Sequence, residues 1–115
     1  MTVRVRNLTR NAVVAGQAAV AETPLQRMKG LLGSKELASG SALVITSCRS
    51  VHMLFMRYAI DVIFLDGDNR VVGLCPNLAP FAFSPIFWKS ACAIELPAGT
   101  IQQTGAELGD QFSIA

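Results

Sequence analysis

The chain has 115 residues, 51% of them apolar, with 10 basic and 8 acidic side chains and a formal net charge of +2. That length sets one domain over residues 1–115, with enough apolar residues for a core. The low charge and the lack of any recognition-helix, finger or RNA-platform pattern argue against a nucleic-acid partner, and no apolar run approaches the ~20 residues that span a bilayer.

In chain order, Val3–Leu8 alternates and predicts a strand, with Arg4 and Arg6 on its solvated face and an edge position in the sheet. Ala12–Ala21, with Gly16 in its middle, predicts two short strands or one bulged strand. Thr23-Pro24-Leu25-Gln26 has the form of a helix start: Thr23 as cap, Pro24 in the first turn and Gln26 closing a capping box. The helix would carry Leu25, Met28, Leu31 and Leu32 on one face and stop at Gly33. Ala42–Thr46 predicts a strand, followed by apolar runs at Val51–Phe55 and Ile60–Leu65. Asp66-Gly67-Asp68-Asn69 is a hairpin signal, and Arg70–Cys75 is the returning strand. Residues 76–88 form a loop with Pro76, Pro80 and Pro85 among Phe81, Phe83, Phe87 and Trp88. Ala91–Leu96 is a strand, Thr100-Ile101-Gln102-Gln103 a second capping box closed by Gly105, and Gln111–Ile114 the last strand. Short strands, regular turns and one or two short helices predict a mainly β barrel or sandwich.

The segment Cys48–Asp66 concentrates polar and soft groups in an apolar context. It holds the single histidine, His52, together with Met53, Met56, Arg57, Tyr58 and Asp61. Asp61 shares a strand face with Ile63 and Leu65, so it needs a cation or several donors. Arg57 and Arg27 are the natural cations, and a tie between strand and short helix is the preferred reading. A ligand contact is the rival, because a carboxylate in an apolar pocket is a common functional arrangement. Glu95, between Ile94 and Leu96, raises the same question less sharply. Cys48, His52 and Met56 are soft or borderline ligands, but the methionines fill core gaps equally well. No metal or cofactor is assigned. The three cysteines, at 48, 75 and 92, form no CxxC pair; a disulfide framework fits poorly and a reducing compartment is favoured. The aromatics at 81–88 either cover the core or form a contact surface.

Three separated stretches resemble a known family. They are Thr23-Pro24 through Gln26-Arg27-Met28-Lys29-Gly30-Leu31-Leu32, then Val51-His52-Met53-Leu54-Phe55-Met56-Arg57-Tyr58-Ala59-Ile60-Asp61-Val62-Ile63-Phe64-Leu65-Asp66, then Glu95-Leu96-Pro97-Ala98-Gly99 with Gly105 and Gly109-Asp110. In order and spacing they are similar to the domain-of-unknown-function 192 family, from about residue 20 to the C-terminus. The resemblance implies a compact, mostly β bacterial or archaeal domain with no established activity. It carries Arg27, His52, Met56, Asp61 and Glu95 as pattern positions without roles, and Ala59 stands where the family often has proline. Members often carry a leader or lipid anchor, which implies envelope association for them. This sequence opens with no apolar leader segment, so the cytoplasm is the expectation for it as it stands.

These readings predict an accessory or binding domain that engages a protein or small ligand. Its site would be Arg27, His52, Met56, Arg57, Asp61 and Glu95, or the aromatic surface Phe81, Phe83, Phe87 and Trp88. The first alternative is a small enzyme with Asp61 as acid/base and His52 or Arg57 stabilising negative charge. The second is a soft-metal site at Cys48, His52 and Met56.

Overall fold

The computed structural model describes residues 2–21, 37–53 and 56–115. The helix expected at 23–33, with Arg27, lies outside them. The described elements are β1 (Thr2–Asn7), β2 (Ala12–Ala21), β3 (Ser41–Thr46), β4 (Ile60–Leu65), β5 (Val71–Leu78), β6 (Cys92–Pro97), α1 (Thr100–Thr104) and β7 (Phe112–Ile114). The strands form one sheet in the order β5-β4-β6-β3-β2-β1-β7. Neighbours are antiparallel except β2 and β3, which run parallel. A parallel pair needs a long crossover, and residues 22–40 connect these two strands.

The ends of the sheet meet at one corner. The Val71 N–H donates to the Asp110 carbonyl at 3.0 Å, and the Phe112 N–H donates to the Asn69 carbonyl at 2.8 Å. Arg70 and Gln111 form a bridge between these contacts. The sheet therefore curls into a half-barrel. Its concave core gathers Val5, Ala18, Val44, Ile63, Ile94, Leu96 and Phe112, with Ile101 from α1. A second core on the opposite face holds Leu43, Ile45, Ile60, Val62, Phe64 and Ala93, covered by Val51, Met53 and Met56. Because β4 lies between these two cores, every residue of Ile60–Leu65 is buried. That explains its almost unbroken apolar sequence.

Several local expectations change in three dimensions. β1 is an interior strand, because β7 pairs outside it; Arg4 and Arg6 are exposed by alternation alone. Residues 12–21 form one strand, whose register with β1 shifts between Val3 and Arg6, in keeping with the bulged-strand alternative. The strand expected to end at Cys75 continues to Leu78. β5 is at the edge of the sheet, where a proline costs no ladder bond on its free side, so Pro76 is accommodated. In the β4–β5 hairpin, Asp66 Oδ1 accepts the N–H groups of Asp68 and Arg70, both at 2.9 Å. The left-handed residue of that turn is Asn69, at φ 61°, not Gly67.

Candidate functional site

Asp61 is fully buried. Its cross-strand partner on β6 is Leu96, so it faces the concave core. Both oxygens are bonded: Oδ1 accepts the Asn77 N–H at 2.8 Å, and Oδ2 accepts the Ile101 N–H at 2.8 Å. A bulge makes the first bond. Between the pairs Ile60–Leu78 and Val62–Cys75, β5 has one residue more than β4. Asn77, at φ 52°, sits in that bulge, and bulges redirect backbone groups in this way. The second bond caps α1 from a distance. The helix has Gly99 at its N-cap and no side-chain cap bond of its own. Thr100, expected to cap, donates its hydroxyl to the Pro97 carbonyl at 2.7 Å instead. Among the described residues, Asp61 thus ties β4 to the short helix α1 through N–H donors; the expected tie to Arg27 lies outside them.

Glu95 is also fully buried, on the other face. It pairs with Val62 on β4 and Leu43 on β3, both members of the second core. It makes an interaction of its own there. Met56 is buried in the same core. His52 and Arg57 are exposed. The small-enzyme reading sets Asp61 beside His52 or Arg57; Asp61 faces the concave core, whereas His52 is exposed between Val51 and Met53 of the opposite one, so these two are not brought together, and Arg57 is exposed. A shared metal at Cys48, His52 and Met56 meets the same obstacle, since Met56 points into the core and the half-buried Cys48 thiol donates to the Ser50 carbonyl at 3.1 Å. Among the described residues no three His, Cys, Asp or Glu side chains gather. Burial pushes the Cys92 thiol up to about 11 and raises that of Cys75 as well.

His52 belongs instead to an irregular two-stranded ribbon. Residues 49–53 run antiparallel to 81–87. The Met53 N–H donates to the Ala82 carbonyl at 2.8 Å, the Ser84 N–H to Val51 at 2.9 Å and the Phe87 N–H to Arg49 at 2.8 Å. His52 and Phe83 form a bridge. The ribbon is anchored from below by Val51 and Met53, which are buried in the second core. Its outer side is apolar: Phe81 and Phe83 are each 67% exposed, Ile86 54% and Trp88 72%. Phe87 departs from the expected surface group. Its ring packs on Phe64, with centroids 4.5 Å apart, over Gly73, where a Cβ would meet the ring at 2.6 Å.

The family match extends over almost the whole chain: a family model described as DUF192, uncharacterized ACR, matches residues 5–114. The chain belongs to DUF192. Among its relatives is a UPF0127 protein of Thermococcus sibiricus, 33% identical over 92% of this chain and 71% of that protein. A UPF0127 protein of Pyrococcus furiosus is 33% identical over 92% of this chain and 93% of the relative. A crystal structure of a protein of unknown function from Novosphingobium aromaticivorans superposes with a TM-score of 0.77 at 20% identity, covering 98% of this chain and 84% of that one. This last likeness shows the fold.

In this DUF192 chain the most extensive polar network among the described residues lies where sequence reading saw only a turn. Asp110 Oδ2 accepts from Arg10 Nε at 2.7 Å, Asn7 Nδ2 at 2.9 Å and the Glu107 N–H at 3.0 Å. Arg10 also pairs with Glu107 at 2.6 Å. The partners are about a hundred residues apart in sequence, so no local pattern reveals them. Burial pushes the Asp110 carboxyl up, but the bonds from Arg10, Asn7 and Glu107 together hold it below the usual carboxylate range. The network clamps the β1–β2 turn to the segment before β7, beside the corner where the sheet closes.

Proposed function

We propose that this DUF192 chain is a protein-binding module and that its contact surface is the outer side of the 49–53/81–88 ribbon. The observation that supports this reading most is the concentration of exposed large apolar side chains. Of the seven among the described residues, four fall within residues 81–88. Scattered exposed apolar residues are ordinary, but a contiguous group is a mark of association. Aromatic residues and arginine are enriched at protein interfaces, and Arg49 and His52 accompany these aromatics. The strained position of Phe81, at φ 66°, also favours a functional surface.

The test compares the wild type with a triple variant, Phe81→Ser, Phe83→Ser and Trp88→Ser, immobilised at equal density in extract of the host cells. The wild type should enrich a defined partner that the variant loses, with urea midpoints closely similar. Equal recovery by both proteins contradicts the reading.

A further inference from the structure

At the end of the ribbon, Ser47, Arg49, Trp88, Lys89, Ser90 and Ala91 line an open groove of about 540 Å³. Its floor is fixed. The buried Ser90 hydroxyl lies 2.7 Å from the Cys48 carbonyl and 3.0 Å from that of Cys92, and the Ser47 N–H donates to the Ala91 carbonyl at 2.8 Å. Its walls are the exposed Arg49, Trp88 and Lys89. Segments 47–58 and 79–91 contain three side-chain cations, Arg49, Arg57 and Lys89, and no carboxylate. Asp66 of the β4–β5 hairpin, which is not among the residues lining the groove, accepts two N–H groups of its own turn. Among the described residues, the groove is therefore cationic on two sides and aromatic on a third.

We propose that this groove takes a carboxylate side chain from an acidic segment of a protein partner, with the adjoining aromatics seating the apolar residues beside it. The proposal rests on the protein-binding reading above and adds the chemistry of the partner. Arg49 supplies a planar fork suited to a carboxylate, Lys89 a second point charge, and Trp88 an amphipathic wall. Charge complementarity of this kind sets partner choice and encounter rate. A membrane or a nucleic acid is a poorer fit: anionic bilayers recruit clusters of four or more basic residues, nucleic acids a more extended basic face, and this chain carries a net charge of only +2.

Trp88 is the single tryptophan, so its emission reports on the groove directly. Wild type and the double variant Arg49→Gln, Lys89→Gln are titrated with hexaglutamate, hexaglutamine and phosphatidylglycerol vesicles. Hexaglutamate should shift the wild-type emission to saturation, hexaglutamine should not, added salt should weaken the effect, and the double variant should bind about tenfold more weakly. Matching thermal unfolding curves establish that the double variant is folded. No shift with hexaglutamate, a shift equal in the double variant, or saturation by vesicles alone overturns the proposal. None of these results touches the comparison made with the aromatic triple variant, so failure of the groove and failure of the binding surface are read separately.

Discussion

Asp61 on β4 and Glu95 on β6 are both fully buried, lie on adjacent paired strands and face opposite sides of the sheet. The register sets Asp61 against Leu96 and Val62 against Glu95, so each carboxylate shares its face with its own apolar cross-strand partner. The two cannot act on one substrate as an acid/base couple, for the sheet itself stands between them. Asp61 instead joins three elements: β4, the β5 bulge and α1.

That role predicts the behaviour of Asp61→Asn. The amide keeps one oxygen acceptor but turns an NH2 group toward a backbone N–H. One buried donor is then left without an acceptor, and the new NH2 is itself buried. Each such loss costs about 1–3 kcal/mol, so urea unfolding should show the variant less stable by about 2–4 kcal/mol. A change under about 0.5 kcal/mol contradicts the structural role.

Asp110 predicts a pH dependence. Its folded carboxyl titrates below the unfolded value of about 3.9. A depressed folded pKa contributes stability that is fully present above the unfolded pKa and is lost as pH falls through the folded one. Asp110→Asn should therefore trail the wild type in urea midpoint near pH 6, and the gap should narrow steadily below about pH 4. A gap that stays constant across this range counts against the Arg10–Asp110 network as its source.

Gly73 and Phe87 link the sheet to the ribbon. Gly73→Ala places a methyl 2.6 Å from the Phe87 ring, which must swing away from Phe64. A loss of about 1–3 kcal/mol is expected, the usual range for overpacking. Adding Phe87→Leu should make the alanine less costly than it is beside phenylalanine. A double-mutant cycle in urea measures this coupling, and strict additivity contradicts the contact.

What the sequence disclosed follows from distance along the chain. β4 is legible because five apolar residues, interrupted only by Asp61, end at an Asp-Gly-Asp-Asn turn, and the end of α1 is legible because Gly105 is a local stop signal: it lies at φ 71° and its N–H donates to the Ile101 carbonyl. Asp61 is visible as an anomaly, but its two donors are not, since one depends on a bulge at Pro76–Asn77 and the other on a helix forty residues away. Thr100 carries a capping signature that the long-range carboxylate supersedes. The aromatics at 81–88 look alike in sequence. Only the gap above Gly73, a tertiary feature, separates the half-buried Phe87 from the exposed Phe81, Phe83 and Trp88.

The most direct test of the binding surface is photo-crosslinking in the host cell. A photoreactive phenylalanine analogue replaces Phe83 in one protein and Val13, exposed on β2 far from the ribbon in sequence, in another. The account predicts a discrete protein adduct from position 83 and none of that mass from position 13. Identical adducts from both positions, or an adduct from position 13 alone, would contradict it.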